Sequence, residues 1–234
     1  MNAPAPRSAM VLAAGFGTRM GALTATCPKP LLKVGGASLL DRALDECAKA
    51  GVSRAVVNLH YRGEMIREAL QDRREPEILL SEETEILETG GGIIKALPHL
   101  GADPFFTMNA DAVWIGARPL PRLAGAWRTG MDALLHLAPV SSAKGYTRAG
   151  DFFMDADHRL TRRGDRTSAP YVFTGAQIIR PEAFADAPGG AFSLNVIWDK
   201  LLAAGRLYGV AHDGEWVDVG TPEGLRLAEE AVRG

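Results

Sequence analysis

Three features of the 234-residue chain predict a single α/β domain built on a parallel sheet covered on both faces by helices. Short apolar runs alternate with amphipathic helical patterns through the first half, the arrangement that generates βαβ units. The first apolar run feeds directly into a loop rich in glycine and proline. No linker, internal repeat or low-complexity tract divides the chain, so residues 9–234 read as one domain behind a flexible tail of residues 1–8.

The elements follow in order. Ala9-Met10-Val11-Leu12-Ala13-Ala14 reads as a buried strand cut off by Gly15. Residues 15–30 hold three glycines and two prolines and read as a loop. Ser38 stands as an N-cap with Asp41 three residues on. Leu39, Leu40, Ala43, Leu44, Cys47 and Ala48 then recur at helical spacing, and Gly51 takes the position after the C-cap. Residues 55–59 read as a strand, 63–71 as a short helix and 78–80 as another strand. A helix over 92–97 ends at Pro98, and residues 105–108 form a buried strand. The second half is less regular: long strands over 131–138 and 171–179, a hairpin around 151–162, a capped helix over 193–204 stopped by Gly205, and a last short strand over 215–219.

Composition narrows the function. Lys and Arg number 26 against 28 Asp and Glu, a net charge of −2 that offers no footprint for nucleic acid. No apolar run approaches the roughly 18 residues of a membrane span, and residues 1–8 carry no secretory signal pattern. Cys27 and Cys47 form no CxxC pair and no Cys/His cluster, which argues against a disulfide scaffold or zinc site and for a cytoplasmic location.

The glycine loop carries the first chemistry. Leu12-Ala13-Ala14-Gly15-Phe16-Gly17-Thr18-Arg19-Met20 lets the backbone approach an anion and turn its N–H groups toward it. The dinucleotide fingerprint wants a third glycine where Met20 stands, and the P-loop wants a Gly-Lys-Ser/Thr that is absent. A βα loop with glycines only for its turn is the plain alternative. Arg19 and Lys29 weigh against it, because Pro28 and Pro30 restrict the backbone that aims Lys29. An arginine and a lysine on a glycine loop suit a polyphosphate. Asp111 and Asp218 each follow an apolar strand, where α/β sheets bind ligands. Each alone reads as a turn residue; beside a polyphosphate cradle the two suggest a Mg²⁺ site.

These residues carry a resemblance. The glycine loop followed by Pro28-Lys29-Pro30-Leu31-Leu32 resembles the signature of sugar-1-phosphate nucleotidyltransferases. Residues 81–92 resemble that family's nucleobase loop, and Asn109-Ala110-Asp111 stands where the family has Asn-Gly-Asp. Trp216-Val217-Asp218-Val219-Gly220-Thr221-Pro222 resembles its closing motif. The resemblance implies a Rossmann-like three-layer sandwich with a mixed, mostly parallel sheet, of the nucleotide-diphospho-sugar transferase type. It covers nearly the whole chain. The run Leu87-Glu88-Thr89-Gly90-Gly91-Gly92-Ile93, Gly150-Asp151-Phe152 and Gly190-Ala191-Phe192 resemble the branch that pairs UTP with N-acetylmuramic acid 1-phosphate in peptidoglycan recycling.

The resemblance implies Arg19, Lys29, Asp111 and Asp218 as catalytic residues, with Mg²⁺ on the two aspartates. It implies nucleotide contacts from Ala13, Ala14, Gly15, Gly17, Thr18, Arg19, Lys29, Glu83, Thr89 and Gly90. Asn109, Asp151 and Thr174 would meet the sugar phosphate. The expected partners are a nucleoside triphosphate and a sugar 1-phosphate, with the chain a monomer or small homo-oligomer. A mannose-1-phosphate guanylyltransferase is the rival within the family, and a non-catalytic nucleotide- or sugar-phosphate-binding domain the rival outside it. Two departures stand out: Ala110 for the usual glycine, and Leu160-Thr161-Arg162-Arg163-Gly164-Asp165 where the family often has Glu-Lys-Pro. Arg162 and Arg163 would either meet an acceptor carboxylate or simply decorate an exposed hairpin.

Overall fold

The computed structural model describes residues 3–234. Its strands are β1 (Ser8–Leu12), β2 (Lys33–Val34), β3 (Ala37–Ser38), β4 (Arg54–Leu59), β5 (Glu77–Glu82), β6 (Phe105–Asn109), β7 (Ala112–Gly116), β8 (Ala133–Pro139), β9 (Ala143–Lys144), β10 (Phe152–Met154), β11 (Leu160–Arg162), β12 (Tyr171–Ile179), β13 (Leu207–Ala211) and β14 (Gly214–Asp218). The helices are α1 (Leu39–Lys49), α2 (Gly63–Leu70), α3 (Glu88–Leu100), α4 (Pro119–Ala126), α5 (Asn195–Ala203) and α6 (Pro222–Arg233).

Among the described residues, nine strands form the central sheet. β6, β1, β4 and β5 lie side by side and parallel. β12 adds antiparallel to β6, pairs with β8 and with β10 of the β10–β11 hairpin, and β13 joins parallel to β8. The sheet is therefore mixed, with a parallel half that carries the glycine loop.

Strand alternation decides the layers. In β1, Ala9 and Val11 pack with Leu44 of α1, Ile66 of α2 and Leu123 of α4, whereas Met10 packs with Ile93 of α3 and Ile197 of α5. Both faces of β1 are buried, which is why its sequence reads as a continuous apolar run. A second, three-stranded sheet of β7, β14 and β9 sits beside the first, and α6 covers it through Val217, Val219 and Ala228.

The N-cap at Ser38 forms as expected: its Oγ accepts from Asp41 N–H at 2.9 Å. The helix expected over 92–97 is corrected. α3 starts at Glu88 and runs through Pro98 to Leu100. A proline in the last turn removes one hydrogen bond close to where the helix ends anyway, so Pro98 does not stop it. The glycines at its start are required by packing: a Cβ on Gly91 would lie 2.3 Å from Gly190 O. α4, α6, β7 and β13 escape the sequence reading. Residues 3–7, expected as a flexible tail, carry contacts: Ala3 N–H donates to Trp127 O at 3.3 Å, and Arg7 O accepts from Ser53 N–H at 2.8 Å.

Candidate active site

A polar chain ties the parallel strand ends together. Ala13 N–H donates to Asn58 Oδ1 at 2.7 Å, and Asn58 Nδ2 donates to Glu83 Oε1 at 2.7 Å. Glu83 Oε2 accepts from Leu87 N–H at 2.9 Å. Asn58 and Glu83 are both buried, so every one of these bonds is needed to offset desolvation. The chain fixes where β1 hands over to the glycine loop. Gly17 holds φ at 64°, and a Cβ there would sit 3.0 Å from Lys29 Cβ. Glycine is demanded twice, by conformation and by the close approach of Lys29.

Lys29, flanked by its two prolines, opens a 3-10 turn and is buried. Its Nζ donates to Asp111 Oδ2 at 2.8 Å. Asp111 lies in the turn from β6 to β7. β7 then pairs with β14 in the register that sets Asp218 opposite Ala112, and Val219 N–H donates to Asp111 O at 3.0 Å. That register brings Asp218 from the second sheet to the end of the first. Burial, and then the Asp111 charge, raise the Asp218 carboxyl above its ordinary value, while Lys29, Arg19 and Arg148 pull it down. A Cβ on Gly220 would meet Arg19 Nη1 at 2.8 Å and Asp218 Oδ1 at 2.9 Å. Arg19, Lys29, Asp111 and Asp218 thus converge as expected.

Two cavities meet at this cluster, with Arg19, Asn109 and Asp111 on the walls of both. One, of about 280 Å³, is lined by Ala13, Ala14, Gly15, Gly17, Thr18 and Lys29, with Glu83 and Thr89 at its other side. The other, of about 360 Å³, is lined by Arg148, Asp151, Arg162, Thr174, Trp198 and Asp218. Among the described residues no three His, Cys, Asp or Glu side chains gather into a self-sufficient metal site. The Asp111–Asp218 pair still fits Mg²⁺, which takes one or two carboxylates and completes its shell with phosphate oxygens and water. A divalent cation would relieve the repulsion from Asp111 that adds to burial in raising Asp218.

Other expected residues have polar groups already engaged within the protein. Gly90, expected to read a nucleobase edge, has its N–H committed to Phe192 O at 2.9 Å, and a Cβ there would strike the Phe192 ring at 2.3 Å. Thr89 Oγ1 accepts from Leu194 N–H at 2.8 Å, and each Glu83 carboxylate oxygen accepts one hydrogen bond. Thr174 lines the second cavity, but its hydroxyl donates to His136 O at 3.1 Å and pairs with His136 Nδ1 at 2.9 Å. Asp151 is anchored to β12 by Phe173 N–H at 3.0 Å. Ala110 is almost fully buried on the wall of the first cavity and needs no positive φ, so the backbone there tolerates its methyl group. Asn58 and Arg148 are additions. A polar residue near the end of the apolar strand 55–59 was a signal for Asn58; nothing in sequence marks Arg148.

Residues 9–145 match the MobA-like NTP transferase domain. The chain is 43% identical over 235 residues to N-acetylmuramate alpha-1-phosphate uridylyltransferase from Caulobacter vibrioides, with 97% of each chain covered. The chain belongs to the sugar-1-phosphate nucleotidyltransferase family. A like-named enzyme from Neisseria meningitidis serogroup B is 34% identical, covering 94% of this chain and 96% of that one. The fold of this nucleotidyltransferase is also that of a UDP-glucose pyrophosphorylase solved with UDP-glucose, with a TM-score of 0.79 over 97% of this chain and 98% of that one, at 17% identity. Among the described residues, no helix of the nucleotidyltransferase is long and apolar enough to cross a membrane.

Proposed function

We propose that this nucleotidyltransferase joins UTP to N-acetylmuramic acid 1-phosphate, releasing pyrophosphate and forming a UDP-sugar for peptidoglycan recycling in the cytoplasm. The observation that carries the chemistry is the convergence of Arg19, Lys29, Asp111 and Asp218 where two cavities meet. The identity to the Caulobacter and Neisseria enzymes supports the substrate pair. The catalytic unit is residues 9–234, acting as a monomer or small homo-oligomer.

The glycine loop binds the triphosphate with its N–H groups. Arg19 takes the departing pyrophosphate, and Lys29 neutralises the α-phosphate with the donors left over from Asp111. Asn109 and Asp151 orient the sugar phosphate. A phosphate monoester has a second pKa near about 6, so the attacking oxygen is already anionic at neutral pH and needs no general base. The buried His136 and His212 are then free to serve structure. Catalysis is alignment and charge neutralisation. Asp111 and Asp218 would hold Mg²⁺, which when bound supplies positive charge shared by the triphosphate and the acceptor.

The test is pyrophosphate release with Mg²⁺ across UTP, GTP, dTTP and CTP against muramyl, glucosaminyl, mannosyl and glucosyl 1-phosphates. Highest kcat/KM for UTP with the muramyl acceptor is the expected result. A maximum at GTP with mannose 1-phosphate would discard the substrate pair and keep the chemistry. Tight nucleotide binding without turnover on any pair would discard the chemistry.

A further inference from the structure

Arg162 and Arg163 are adjacent in sequence but engaged in different work. Arg163 donates to Gly150 O at 3.2 Å and to Arg166 O at 3.0 Å, clamping its own loop. Arg162, the last residue of β11, lines the second cavity with Asn195 and Trp198. Its guanidinium carbon lies 4.9 Å from the Phe152 ring centroid and 5.6 Å from that of Trp198. Nε donates to Asp199 Oδ1 at 2.9 Å, and Nη2 donates to Asn195 Oδ1 at 2.9 Å. One edge of the fork is consumed in fixing the plane. Nη1 makes no hydrogen bond to a described residue.

An arginine held in this way is a preorganised receptor for a second anion. Asp199 is largely exposed, so its charge is shared with solvent and leaves Arg162 able to attract another carboxylate. The acceptor's phosphate does not need Arg162, because Arg19 and Arg148 act on the Asp218 end of the cavity. Arg148 comes from the loop between β9 and β10, where it stacks on Tyr146 at 4.9 Å. Sugar hydroxyls alone would give Nη1 only neutral partners, whereas the other edge of the guanidinium already faces the Asp199 carboxylate. An acceptor bearing a carboxylate in addition to its phosphate supplies Nη1 with a charged one.

We propose that Arg162 is a specificity-determining residue that receives, through Nη1, the lactyl carboxylate of a muramyl 1-phosphate. This rests on the muramyl reading of the acceptor. Asn195, Asp199, Phe152 and Trp198 hold the guanidinium in place for that contact.

The experiment compares kcat/KM for N-acetylmuramic acid 1-phosphate with that for its lactyl methyl ester and for N-acetylglucosamine 1-phosphate, with UTP and Mg²⁺. Wild type, Arg162→Met and Arg162→Lys are measured, each after thermal unfolding has shown a folded protein. Wild type prefers the free acid to the ester, and Arg162→Met shrinks that preference by roughly 10- to 100-fold, the range of one charged hydrogen bond. The loss falls on KM for the acid, and Arg162→Lys recovers part of the preference as a point charge. Wild type that turns over acid and ester equally, or Arg162→Met that keeps the full preference, overturns the assignment to Arg162 and leaves the muramyl reading standing. Wild type that ignores both muramyl acceptors but uses N-acetylglucosamine 1-phosphate overturns the muramyl reading, and this inference with it.

Discussion

Lys29→Met removes one charge and keeps the stem that packs beneath Gly17. The ammonium sits 2.8 Å from Asp111, with side-chain exposures of 10% and 33%. At that distance and an effective dielectric near 20, the attraction is about 6 kcal/mol. Dehydration of both groups offsets most of it, leaving a net loss of about 1–3 kcal/mol when Asp111 is stranded beside Asp218. For a chain of this size that lowers Tm by only a few degrees. Activity falls much further: a preorganised charge at the transferring phosphoryl group is worth about 10²–10³ in kcat. Steady-state pyrophosphate release and a thermal melt on the same preparation separate the two effects. A folded Lys29→Met enzyme with kcat within about threefold of wild type would refute the role given to this lysine.

Asp218→Asn has the opposite signature in stability. The folded protein holds the Asp218 carboxyl above its ordinary value, so its contribution is full below the unfolded pKa and is lost as pH rises through the folded one. The substitution therefore flattens that slope and leaves Tm at neutral pH unchanged or higher, while kcat falls by about 10²-fold or more; pH-dependent melts and the release assay check both. Asn58→Ala strands Ala13 N–H and a Glu83 oxygen, costing about 1–3 kcal/mol in urea unfolding and raising the nucleotide KM. His136 is pushed down from 6.5 to about 3 by burial, with His212 and Arg122 adding to the shift. Its contribution is full above pH 6.5 and is lost as pH falls toward 3, so His136→Gln flattens the acid limb of the stability curve by up to about 1.4 kcal/mol per pH unit.

Local rules carried much of the fold. The run at residues 9–14 announced a strand buried on both faces, and Ser38 announced a helix start that its own side chain completes. Lys29 between two prolines announced a fixed charge, and it meets Asp111. The rest depended on long-range contacts. The β7–β14 register that joins Asp218 to Asp111 spans about half the chain and has no local signature. Gly90, Gly91 and Gly92 oppose a helix by propensity, yet they sit inside α3 because Phe192, Gly190 and Glu83 crowd the space a Cβ would occupy. The engagement of the Gly90 N–H by Phe192 and of the Thr174 hydroxyl by His136 is likewise visible only in the packed chain. The two arginines of the β10–β11 hairpin could not be told apart until α5 was seen against Arg162.

The most direct test of the account is a competition: purified protein, Mg²⁺, equimolar UTP, GTP, CTP and dTTP, and equimolar muramyl, glucosaminyl, mannosyl and glucosyl 1-phosphates, with the products weighed by mass spectrometry. The account predicts UDP-N-acetylmuramic acid as the dominant new species, formed together with pyrophosphate and lost with Lys29→Met. A dominant product with another base or another sugar, or no nucleotide sugar at all, would contradict it.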